Sequence, residues 1–119
     1  MKAVLIIAHG SRASETEAVL DAIAAMVKES LPDMLIECAF MGYSERTVEK
    51  AVAALASKDV SEIKVIPYFL FMGIHLKEDI PKMISDLTAD YPNIKIVMTE
   101  SLGADRRLAE IVIDKILDE

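Results

Sequence analysis

Apolar runs at 3–8, 34–40, 63–71 and 94–98 are of strand length and rich in Ile and Val, and each is followed by a segment in which apolar residues recur every three or four positions. That succession predicts the order β-α-β-α-β-α-β-α. The first helical segment gathers Val19, Leu20, Ile23, Met26 and Val27 on one face, with Glu15, Asp21, Lys28 and Glu29 on the other. The second is expected from about Ser44, read as its N-cap, through Val48, Ala51, Val52 and Leu55. The third uses Ile80, Met83, Ile84 and Leu87, with Pro81 in the first turn, where a missing N–H costs nothing. The last follows Gly103 and presents Leu108, Ile111, Val112 and Ile116. Strict alternation with long crossovers predicts an α/β fold: an open, mainly parallel four-stranded sheet with helices on both faces.

Bulk properties narrow this picture. A chain of 119 residues with 53% hydrophobic content is expected to form one domain over residues 1–119. No stretch reaches the roughly 18 consecutive apolar residues that span a bilayer, and Lys2 to Ala8 stops at His9-Gly10, so it reads as a strand and not as a signal peptide. A lone Cys38 excludes an internal disulfide and a zinc knuckle, which fits a reducing cytoplasm. Thirteen basic against twenty acidic residues, net −7 and without a basic cluster, argues against a nucleic-acid partner. Neither an internal repeat nor a low-complexity segment stands out.

In open parallel sheets ligands bind beyond the carboxyl ends of the strands, where strand-to-helix loops converge. These loops are expected at His9 to Arg12, Met41 to Glu45, Pro67 to Asp79 and Thr99 to Asp105, and both histidines of the chain fall among them. Neutral imidazole binds first-row divalent metals and titrates near neutrality, so two imidazoles at one sheet edge suit metal exchange. The plainer alternative is that His9 and His75 are unrelated loop residues. After His9, Gly10 permits close backbone approach, and Ser11 and Arg12 can meet an anion at a helix start; a glycine-assisted turn explains the same residues. Phe69, Leu70, Phe71 and Met72 continue apolar past normal strand length, as core, as a dimer contact, or as the lining of a flat apolar ligand to which Gly73 gives room. Glu78 and Asp79 can orient His75 through its second nitrogen, or simply complement a helix dipole.

The segments Ala8 to Arg12, Pro67 to Pro81 and Leu102 to Leu108 resemble the short-form class II sirohydrochlorin chelatases, in order and spacing over nearly the whole chain. The long Pro-Tyr-Phe-Leu-Phe-Met-Gly-Ile-His segment carries most of the specificity; His-Gly-Ser-Arg alone is weak. The resemblance implies one half of a class II chelatase fold and ATP-independent insertion of Co²⁺, Ni²⁺ or Fe²⁺ into sirohydrochlorin, with His9 and His75 as metal ligands and catalytic residues. It also implies a homodimer holding the tetrapyrrole between subunits, and no cofactor beyond the metal substrate. Gly10, Ser11, Arg12, Phe69 to Gly73 and Lys77 are the substrate-binding candidates, with Arg106, Arg107 and more weakly Arg46 as further donors to its carboxylates.

The chain departs from the family pattern at three places. It has Phe40-Met41-Gly42 where Phe-Leu-Glu is usual, Arg46 where a Pro is usual, and Glu17 where an Asn is common. If that loop carboxylate helps in metal capture or proton removal, Glu45, or Glu78 or Asp79 beside His75, stands in for it, or the activity is slower or differently directed. Two other classes remain open: a carrier of metal or tetrapyrrole without turnover, and phosphoryl transfer through His9. The second lacks the Arg expected before His-Gly, where Ala8 stands. A nucleotide module is set aside, because Gly10 has no Gly-x-Gly-x-x-Gly or Walker spacing around it.

Overall fold

A computed structural model of the chain describes residues 1–13 and 15–118. Strands β1 (Lys2–His9), β2 (Leu35–Met41), β3 (Glu62–Pro67) and β4 (Lys95–Met98) alternate with helices α1 (Glu15–Ser30), α2 (Val48–Ala56), α3 (Ile74–Asp90) and α4 (Arg106–Leu117). The sheet order is β2-β1-β3-β4 and every pairing is parallel. Among the described residues no helix is long and apolar enough to cross a membrane.

Central β1 explains the continuous apolar run that encodes it, because a strand buried on both faces has no polar side to alternate with. Leu5 and Ile7 enter one core with Val52, Leu55, Ile63, Val65 and Ile80. Ile6 and Ala8 enter the other with Leu20, Cys38 and Phe40. Each fully buried Leu or Ile contributes about 1.5–3 kcal/mol of apolar transfer. Helices α2 and α3 supply the first core, and α1 the second. No residue of α4 is buried.

Three expectations are corrected. The third strand stops at Pro67 and does not run to 71. Beyond it Tyr68 N–H still donates to the Ile7 carbonyl at 2.7 Å, but Phe69 and Leu70 accept from Leu102 and Gly103 at 2.9 Å each, so a loop-to-loop ladder replaces the sheet. Helix α2 is capped by Thr47, whose side chain accepts from Lys50 N–H, and not by Ser44. The Ser44 hydroxyl is instead engaged with Arg46 N–H and Glu17. Helix α3 begins at Ile74, so His75 to Asp79 are helical, and Pro81 lies inside the helix with no N–H to give the Lys77 carbonyl. Buried Ile80 and Leu87 hold that helix to the sheet and offset the lost bond.

The loops after β1 and β2 meet backbone to backbone. Gly10 N–H donates to the Met41 carbonyl at 3.1 Å, and a β-carbon on Gly10 would lie 1.6 Å from the Gly42 oxygen. Gly42 and Tyr43 both take positive φ, 86° and 55°, to turn the chain around that contact. Gly10→Ala is expected to lower stability by about 2–3 kcal/mol, since backbone must move to admit the methyl group. Chemical denaturation of the variant beside the parent chain checks this.

Candidate functional site

His9 ends β1 and His75 opens α3, directly after the loop that leaves the neighbouring strand β3, so both imidazoles stand at the carboxyl edge of adjacent parallel strands. Both are exposed. The His9 ring meets buried Phe69 edge to face, with centroids 4.8 Å apart. A hollow of about 430 Å³, lined by Ala8, His9, Val19, Leu20, Tyr68 and Phe69 among others, opens beside it.

The apolar segment after β3 divides in two. Phe69 is buried and Met72 packs against the core, whereas Leu70 and Phe71 face solvent, Phe71 at 79% exposure. Ile74, not singled out by sequence reasoning, is exposed beside them. Its signal was present, since it continues the apolar run up to His75. Gly73 is the α3 N-cap with ordinary φ of −72°, and a β-carbon there would meet nothing. The fold itself therefore does not require glycine at 73; its absent side chain leaves open surface at the start of α3. Glu78 and Asp79 follow His75 by three and four residues on α3, the spacing at which helical side chains are neighbours. Among the described residues no group of three or more His, Cys, Asp or Glu is gathered closely enough to hold a metal ion.

The cationic candidates separate by what already holds them. Arg46 makes two 2.9 Å bonds to the Asp21 carboxylate, lies 3.4 Å from Glu17, and stacks over Phe40 at 5.2 Å. Arg107 is closed on Asp105 by two 2.8 Å bonds, which hold the Asp105 carboxyl well below its usual range. Both already have carboxylate partners within the chain, which an incoming carboxylate would have to displace. Arg12 lies over the exposed ring of Tyr43, 5.3 Å from its centroid, and Lys77 and Arg106 are exposed on the first turns of α3 and α4. The Ser11 hydroxyl accepts from Ala13 N–H at 3.0 Å, which shapes the turn after His9. Glu45 is exposed on the loop after β2.

Glu17 and Arg46 contact each other, and Ser44 Oγ donates to Glu17 at 3.1 Å. Gly42 turns the same loop at a φ that a Glu would adopt only with strain. Nearby Cys38 has its thiol pushed up to about 11, chiefly by burial and next by the Asp21 charge, so it stays protonated at neutral pH. Arg46 hydrogen bonding holds Asp21 below its ordinary 3.8. A carboxyl lowered in the folded state stabilises above its unfolded value and loses that contribution as pH falls through the folded one. The melting temperature of Asp21→Asn is therefore expected to lie below that of the parent chain at pH 7, with the gap closing below about pH 4. Thermal melts of both proteins across pH 2–7 follow it.

The CbiX family model matches residues 3–119. The chain is 38% identical to the sirohydrochlorin cobaltochelatase of Methanopyrus kandleri, over 98% of this chain and 95% of that one. It is 30% identical to the chloroplastic sirohydrochlorin ferrochelatase of Arabidopsis thaliana, over 95% of this chain but 50% of that one. Among solved structures, the sirohydrochlorin chelatase SirB of Bacillus subtilis subspecies spizizenii in complex with cobalt superposes with a TM-score of 0.87 at 27% identity, covering 97% of this chain and 49% of SirB.

Proposed function

The chain belongs to the CbiX family, and from that premise we propose that it inserts a divalent metal into sirohydrochlorin, an ATP-independent chelatase reaction, with His9 and His75 handling the metal. The observation that carries this reading is the placement of the only two imidazoles at the carboxyl edge of adjacent strands, beside exposed Leu70, Phe71 and Ile74. Insertion needs a hydrated cation to shed water, the macrocycle to offer its nitrogen lone pairs, and two pyrrole N–H protons to leave. Two imidazoles hold a metal with intermediate strength, so four ring nitrogens can take it over. As each imidazole releases the metal its freed nitrogen accepts a proton, so the protons lost by the ring have a destination.

The exposed apolar residues cover one face of the macrocycle, and the open surface at Gly73 admits its edge. Arg12, Lys77, Arg106 and the N–H group of Ser11 meet its carboxylates, whereas the Gly10 N–H is held by the Met41 carbonyl. Glu78 and Asp79 orient His75 and take the place of the loop carboxylate that Gly42 lacks. A two-subunit assembly is part of the proposal: the chain spans half of SirB, so a second copy supplies what the rest of that longer chain provides. Among Co²⁺, Ni²⁺ and Fe²⁺ we favour Co²⁺, because the relative matched over nearly its full length is a cobaltochelatase, whereas the ferrochelatase is matched over half. The site is proposed to work in the cytoplasm.

The competing reading is a carrier that binds metal or tetrapyrrole without turnover. Anaerobic mixing of the protein with sirohydrochlorin and each metal separates the two. The visible spectrum is expected to convert catalytically, fastest with Co²⁺, and His9→Ala and His75→Ala are each expected to lose at least about 100-fold in rate. Parent-like rates in both variants would remove the mechanism, and a spectral change that stops at one equivalent per site would select the carrier.

A further inference from the structure

The loop between β2 and α2 is anchored on both flanks and open at its middle. Phe40 N–H donates to the Arg46 carbonyl at 2.9 Å and closes its base. Ser44 Oγ accepts from Arg46 N–H at 3.0 Å and donates to Glu17 on α1 at 3.1 Å, while the Arg46 guanidinium is bound to Asp21. On the other flank Gly42 presses on Gly10. Tyr43 sits between these anchors. Its φ of 55° is left-handed, a conformation that a bulky side chain adopts only with strain, and its ring is 69% exposed. The core gains nothing from an aromatic there, and Gly or Asn would turn the chain more easily. A strained aromatic held out in solvent points to a role at the surface.

The ring carries a cation. Arg12 lays its guanidinium over Tyr43, 5.3 Å from the ring centroid. Among the described residues Arg12 has no ion pair, whereas Arg46 and Arg107 each hold a carboxylate. Stacking engages the face of a guanidinium and leaves the N–H groups along its edge free for a carboxylate. It also removes beforehand much of the rotamer freedom that a long exposed side chain loses on binding. With the sheet order β2-β1-β3, this pair flanks His9 on the β2 side and exposed Leu70, Phe71 and Ile74 flank it on the β3 side. A flat ligand whose apolar body lies over those residues and His9 extends its rim toward Arg12.

We propose that Tyr43 is a positioning residue, whose ring holds the Arg12 guanidinium edge-outward for a carboxylate on the rim of the tetrapyrrole. The proposal deepens the chelatase reading and rests on it for the identity of the ligand. A carboxylate fixed at this lip sets the orientation of the macrocycle over His9 before the metal is transferred. A ring with no carboxylate at that part of its rim gains nothing from Tyr43, so the residue selects for a carboxylated substrate.

Metal-free binding of sirohydrochlorin, followed by its absorbance, is measured for the parent chain, Tyr43→Gly, Tyr43→Phe, Arg12→Ala and the double variant Arg12→Ala with Tyr43→Gly. Arg12→Ala is expected to weaken binding at least about tenfold, through loss of a charge-assisted bond. Tyr43→Gly is expected to weaken it about two- to fivefold, as an exposed cation–π contact is lost. Tyr43→Phe returns the ring and is expected to rescue binding. In the Arg12→Ala background Tyr43→Gly is expected to change nothing further. Thermal melts read a purely structural role: glycine suits a φ of 55°, so Tyr43→Gly is expected to melt at or above the parent temperature while binding more weakly. Parent-like binding by Tyr43→Gly, a lowered melting temperature in that variant, or an undiminished effect without Arg12 overturns the proposal. Turnover with Co²⁺, followed alongside, keeps the two readings apart. Coupled binding without turnover leaves the role of Tyr43 standing and removes the chelatase, whereas turnover with uncoupled binding does the reverse. A parent chain that binds no sirohydrochlorin removes both.

Discussion

The backbone of Gly10 presses against the carbonyl of Gly42 with no space for a side chain between them. This contact forces the central strand to end in solvent at His9 instead of running on, and it forces the following loop across the end of β2. Parallel neighbours have their loops at the same edge, so closing one crossing with glycine draws the loop after β2 up beside the loop after β1. Arg12 then reaches Tyr43, and His9 is left at the strand mouth with Phe69 beneath it. A bulkier residue at 10 would push the two loops apart and unseat both contacts.

The proposed substrate is a polyanion, against which overall charge is a poor guide. A net −7 chain recognises a polyanion only through donors that its own carboxylates have not claimed. Arg46 and Arg107 are claimed by Asp21, Glu17 and Asp105. Arg12, Lys77 and Arg106 are exposed at the edge. Glu17 on α1 and Arg46 on the loop after β2 pair across the two elements.

Most of the fold was legible because strand burial writes itself into sequence. The runs encoding β1, β2 and β4 were read to within a residue or two, since apolar Ile and Val there serve only the sheet. The third run was overread because Phe69 to Met72 stay apolar outside the sheet: Phe69 is buried against His9, Met72 packs on the core, and Leu70 and Phe71 face solvent. The start of α3 was missed because Gly73 caps it without a side-chain signal, while Pro81 pointed to a later first turn. The face of α4 was read from its period, but periodicity says only that a face wants covering, not by which element. The Arg46 pairing joins residues 25 apart, beyond what spacing reveals. Both histidines were legible as edge residues because a strand's end and a Gly mark the edge.

The chain carries two histidines, so their ring nitrogens give two resolvable sets of signals in long-range ¹H–¹⁵N correlation spectra. Titrating Zn²⁺, a diamagnetic stand-in for Co²⁺ at imidazole nitrogen, into uniformly labelled protein tests directly whether one cation is shared. The account predicts that both sets are displaced together along a single binding curve, and that losing either ring weakens the response of the other. Displacement of one set while the second stays in place at saturating Zn²⁺ would contradict it.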